Sequence, residues 1–62
     1  MINTKLRIIQ LIQEELTKQG KDSSVDTIGG SYLLQSDLLC IDSELYTEQG
    51  LLSMLMELKD NE

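Results

Sequence analysis

Histidine, proline, phenylalanine and tryptophan are absent from this 62-residue sequence, and there is one cysteine, with two tyrosines. Without histidine there is no side chain that ordinarily titrates near neutral pH to serve as a general base. Cys40 stands in an apolar run with no base beside it in sequence, so nothing there activates a thiolate. A small core residue is the role expected of it. A lone cysteine forms no intrachain disulfide, and without histidine a Cys/His zinc site cannot be assembled within one chain. Gly29-Gly30 is no phosphate loop, because no Lys-Ser/Thr follows and no helix opens from it. Catalysis, a cofactor and a metal are all unexpected.

Positive charge is also scarce. Lys and Arg number 5 against 11 Asp and Glu, a formal net charge of −6. Nucleic-acid backbones and anionic membranes repel such a surface, so neither is an expected partner. A partner with a basic surface is compatible with it. The densest apolar stretch, Leu51 to Leu58, is interrupted by Ser53 and Glu57 and is far too short to span a bilayer. Lys5 and Arg7 sit among polar residues without the extended apolar region of a signal peptide. A free thiol and no visible targeting segment make a cytoplasmic location the expectation.

What is present is aliphatic. At 40% hydrophobic residues the chain is too apolar for disorder at this charge density. The whole length, 1–62, reads as one small domain. A domain of this size buries only about 60% of the surface its unfolded chain exposes and usually needs a staple. With disulfide and zinc excluded, association with another subunit is the staple that remains.

Two segments carry helical periodicity. The first runs from Asn3 to Gln19, with Asn3 or Thr4 as cap and Gly20 as terminator. Ile2, Leu6, Ile8, Ile9, Leu11, Ile12 and Leu16 cover a little over half its wheel, wider than an ordinary surface helix needs. Such a helix is covered from two directions. The second runs from Ser43 to about Asp60, capped by Asp42 or Ser43. Gly50 weakens it by about 1 kcal/mol relative to Ala and marks a break or kink near Gln49-Gly50. Beyond the glycine, Leu51, Leu52, Met54, Leu55, Met56 and Leu58 cover roughly 200° of the wheel. Lys59 to Glu62 reads as a frayed, solvated end.

Between the helices, Gly29-Gly30 separates two short apolar–polar runs, a two-residue hairpin signal. In that register Val25 faces Leu34 and Thr27 faces Tyr32. A competing register turns at Ser36-Asp37 and pairs Ser31–Gln35 with Leu38–Ile41, a run that reads as strand in preference to helix. The fold class is therefore α+β, helix–β-hairpin–helix, with an all-α helical hairpin as the alternative.

Glu48-Gln49-Gly50-Leu51-Leu52-Ser53-Met54-Leu55 resembles the region around the phosphopantetheine serine of acyl and D-alanyl carrier proteins. In that family Gly-Leu-Leu-Asp-Ser precedes an apolar helix. The resemblance spans about eight residues and implies Ser53 as an attachment site. The Asp that should precede the serine is missing, and packing of a leucine-rich helix accounts for the same residues.

Asp37, Asp42 and Glu44 lack the alternate spacing, central glycine and terminal bidentate acid of a calcium loop. Asp22, Asp26, Asp37, Asp42, Glu44, Glu48, Glu57, Asp60 and Glu62 are scattered without a two-row pattern. That is the pattern of a solubilising surface, with nucleic-acid mimicry as the sharper alternative.

The apolar surplus on the helices carries the functional expectation. It is a small acidic protein–protein interaction module, an adaptor, antagonist or regulatory subunit. It self-associates as a homo-oligomer and docks another protein through apolar helix faces. The expected interface is Ile8, Leu11 and Ile12 on the first helix with Leu51, Leu52, Leu55, Met56 and Leu58 on the last.

Overall fold

The computed structural model describes residues 4–37 and 39–60. The expectations that rest on Ile2, Asn3, Leu38, Asn61 and Glu62 lie outside the described residues. In chain order the elements are α1 (Thr4–Lys18), β1 (Ser23–Ile28), β2 (Ser31–Ser36), β3 (Cys40–Asp42) and α2 (Glu48–Asp60). Two helices and an antiparallel sheet make a small α+β domain, not a helical hairpin. Among the described residues, no helix is long and apolar enough to cross a membrane.

α1 stops where its sequence says it should. Gly20 sits at φ 80, a left-handed conformation that costs a residue without Cβ little. The Lys21 amide donates to Leu16 O at 2.9 Å and the Gly20 amide to Thr17 O at 3.0 Å. This closing pattern satisfies carbonyls that a helix end leaves unpaired.

Gly29 and Gly30, at φ 57 and φ 87, form the β1–β2 turn, and Val25 pairs with Leu34 and Thr27 with Tyr32. A second turn follows β2, but not at Ser36-Asp37: Ser36 stays in the strand, its amide donating to Leu39 O at 2.9 Å, and β3 runs from Cys40 to Asp42 instead of the expected Leu38–Ile41. β3 pairs antiparallel with β2 through Leu34–Ile41 and Gln35–Cys40, so the sheet is a three-stranded meander in the order β1-β2-β3. This pairing is two residues out of the register expected for the second turn, Gln35 facing Cys40 where that turn would set it against Leu38. It adds to the Val25–Leu34 hairpin without replacing it, because an antiparallel strand bonds opposite neighbours through alternate residues. Ser36 N–H donates to Leu39 O, and Ser43 N–H to Tyr32 O. Residues 32, 34 and 36 thereby serve β3, which leaves 31, 33 and 35 for β1.

The start of α2 differs from expectation. Ser43 to Tyr46 is a turn, and the helix begins at Glu48 with Thr47 as its cap: the Gly50 amide donates to Thr47 Oγ1 at 3.1 Å. Asp42 and Ser43 are engaged elsewhere. Asp42 Oδ1 accepts the Glu44 amide at 2.9 Å, and Ser43 Oγ accepts the Tyr32 amide at 2.9 Å. Gly50 therefore lies in the first turn of α2, where it interrupts nothing.

Side chains of Val25, Leu34 and Ile41 share one sheet face by the two-residue period. That face meets Ile8, Ile9, Ile12 and Leu16 of α1, with Leu51 and Leu55 of α2 completing the core. The wide apolar arc of α1 is thus covered from two directions inside one chain, by α2 and by β1 and β2. Cys40 is on the opposite sheet face and exposed, not in the core. One residue of register decides that, because neighbours in a strand face opposite ways.

Candidate functional site

α2 packs against α1, but its backbone stays clear of every strand. Two tethers fix this standing-off geometry. At one end Gln19 Nε2 donates to Leu58 O at 2.7 Å, joining the close of α1 to the last turn of α2. At the other, Lys5 Nζ donates to Ser43 O at 2.9 Å, joining the start of α1 to the β3–α2 turn. Ser43 itself is held to β2 through Tyr32. Between α2 and β3 an apolar cleft of about 390 Å³ remains, walled by Leu39, Ile41, Tyr46, Met54 and Leu58. Lys21, Gln19 and Glu57 stand at its lip with Cys40.

The eight expected interface residues divide by environment. Ile8, Ile12, Leu51 and Leu55 are spent inside the core, where they hold the monomer together. Leu11 is half-buried and packs against that core. Leu58 is half-buried and walls the cleft. Leu52 and Met56, at 43% and 65% exposure, face solvent one helical turn apart. Among these eight the exposed apolar residues are on α2, while Ile8 and Ile12 of α1 are covered by its neighbours.

Sequence reasoning missed Leu39, Ile41, Tyr46 and Met54 as cleft residues. Met54 carried a signal, since a flexible thioether suits an adaptable surface. Leu39 and Ile41 required the β3 register, which sets their side chains on the inner sheet face. Exposed Ile28 and Leu45 are the tip of the hairpin and of the β3–α2 turn, apart from this cleft.

Among the described residues, no three acidic or cysteine side chains gather where they could hold a metal ion. Asp26 and Asp42 project from the outer sheet face, Glu44 from the turn, and Glu48, Glu57 and Asp60 from α2. Glu15 is different: it is 4% exposed, its Oε1 has no partner, and its Oε2 lies 3.8 Å from Lys18 Nζ. Ser53 is exposed on α2, but it stands in an α+β fold and not in a carrier-type helical bundle. No family model, curated protein or solved structure matches this chain.

Proposed function

We propose that this chain is a small protein–protein interaction module, an adaptor, antagonist or regulatory subunit, that self-associates and docks a partner through α2. The observation that carries the reading is the position of α2. Its backbone packs beside α1 and stands off the strands, with exposed Leu52 and Met56 on one flank and an apolar cleft on another. A surface helix with an apolar pair at i and i+4 offers the anchor spacing that helix-docking interfaces use. The lack of histidine, the residue that most often serves as a general base, favours binding over chemistry. The net charge of −6 favours a partner with a basic surround.

Sedimentation velocity over a wide concentration range tests the self-association. The wild-type chain should gain mass with concentration. A Leu52→Glu/Met56→Glu variant should stay monomeric with an unchanged far-UV circular dichroism spectrum. A wild-type chain that is monomeric at every concentration overturns that part of the reading. Apolar self-association should also weaken little between low and moderate salt, because screening acts on charge.

A further inference from the structure

The cleft beside β3 has the dimensions and chemistry of a vacant strand position. Helices packed side by side lie about 8–10 Å apart, whereas strands are spaced about 4.7–4.9 Å, so a two-helix layer covers about four strands. Here the sheet supplies three. α1 lies over β1 and β2, and α2 continues the helix layer past them, its backbone clear of the strands while Leu51 and Leu55 reach the core that Leu34 and Ile41 share. The uncovered width is the cleft between β3 and α2.

The β3 edge is prepared for pairing. Leu34–Ile41 is the hydrogen-bonded pair flanked by Ser36–Leu39 and Tyr32–Ser43. The intervening Cys40 and Asp42 therefore direct their backbone N–H and C=O away from β2. The Asp42 carbonyl accepts the Leu45 amide at 3.0 Å. Both groups of Cys40 and the Asp42 N–H face the position of a fourth strand. An unpaired edge of this kind is a template for another chain. The β1 edge differs, since α1 already packs over β1 and the Ser23 carbonyl there accepts Gln13 Nε2 at 3.3 Å.

We infer that β3 and α2 together capture an extended peptide segment of a partner protein, with apolar and basic residues in alternation, as a fourth strand. Its backbone pairs with Cys40 and Asp42. Its inward side chains enter the apolar space under Met54 and Leu58, and its outward ones lie beside Asp42 on the outer sheet face. A cross-strand neighbour of opposite charge stabilises such a pair; at the cleft lip Glu57 and Lys21 offset each other, so the preference for basic residues comes from Asp42 within the net charge of −6. A second copy of this chain is a poorer occupant, because its own charge of −6 opposes that of the site. The inference deepens the proposed function and rests on it for the premise that the cleft is a docking surface.

The test is NMR titration of the ¹⁵N-labelled full chain with three capped hexapeptides. One alternates Val and Lys, one alternates Val and Glu, and one is the Val–Lys peptide N-methylated at alternate amides. The Val–Lys peptide should shift the Leu39 to Asp42 amides and slow hydrogen exchange at Cys40 and Asp42. The Val–Glu and N-methylated peptides should bind at least about threefold more weakly, as expected for losing one backbone hydrogen bond or one opposite-charge neighbour. Cys40→Pro removes an outward N–H while sparing the bonds to β2, and should weaken the Val–Lys peptide about three- to tenfold. If that variant does not fold, the N-methylated peptide against wild type makes the same comparison. Shifts confined to Leu52 and Met56, equal binding of the methylated peptide, or no binding overturns the inference. Sedimentation separates the two claims: self-association without peptide capture at β3 removes the inference and leaves the module reading standing. Absence of both removes both.

Discussion

Ser43 and Tyr32 exchange two hydrogen bonds: the Ser43 amide donates to the Tyr32 carbonyl at 2.9 Å, and Ser43 Oγ accepts the Tyr32 amide at 2.9 Å. The hydroxyl takes the place a strand carbonyl would have, so the chain can leave β3 and turn toward α2 without orphaning β2. Ser43 is buried and its carbonyl also accepts Lys5 Nζ. Ser43→Ala strips the Tyr32 amide of its partner in a place water reaches poorly. It should cost about 1–3 kcal/mol, read from urea denaturation. Asp42→Ala, which loses only an exposed bond to the Glu44 amide, should cost less. Equal costs would show that Ser43 does not fasten the turn.

Glu15 predicts a gain from a lost charge. Its carboxylate is buried, Oε1 is unpartnered, and the nearby ammonium of Lys18 is itself two-thirds solvated. A pair of that geometry compensates poorly for removing a carboxylate from water. Glu15→Met retains helix propensity and length, and should raise the unfolding free energy by about 1–2 kcal/mol. A lower urea midpoint for Glu15→Met would mean that the carboxylate is satisfied in solution by a group outside the described contacts.

The hairpin turn makes a third prediction. A Cβ at Gly29 or Gly30 would meet nothing within 4 Å, so the cost of substitution is backbone strain alone. Gly29 lies at φ 57, within the left-handed well that Asn tolerates, and Gly30 lies beyond it at φ 87. Gly29→Asn should be neutral to within about 0.5 kcal/mol, while Gly30→Ala should cost about 1–2 kcal/mol. Thermal unfolding of the two variants side by side gives the comparison.

Much of this fold is legible in the residues because its signals are local. Gly20 ends α1, and Gly29-Gly30 fixes the Val25–Leu34 register, since few other residues accept those dihedral angles. What escapes is decided at a distance. Nothing local says that a second turn is used beside the first, or that it comes after Ser36, because that requires β2 to bond on two edges. Asp42, Ser43 and Thr47 are all capping residue types. Thr47 caps α2 because Ser43 is drawn off by Tyr32, eleven residues away. The helical wheel shows that α2 has more apolar surface than one neighbour can cover. It cannot show where α1 crosses, and that crossing puts Leu51 and Leu55 inside, Leu52 and Met56 outside, and Leu58 in the cleft.

Leu51 and Leu52 turn that division into the sharpest mutational contrast. They are chain neighbours of one residue type on one helix, so helix propensity changes equally when either becomes Ala. Leu51 is fully buried and Leu52 is 43% exposed. Leu51→Ala leaves a cavity in the buried core cluster and should cost about 2–5 kcal/mol. For a domain this size, whose whole stability is about 3–9 kcal/mol at typical values per residue, that loss is enough to unfold a large fraction of molecules. Leu52→Ala should cost about 1 kcal/mol or less in dilute solution, where no partner covers it. Its effect should grow with protein concentration if self-association covers the side chain, because burying Leu52 in an assembly couples folding to binding. Urea midpoints measured at two widely separated concentrations therefore report both the core and the interface. Concentration-independent midpoints for wild type and Leu52→Ala alike would place Leu52 outside any self-association surface.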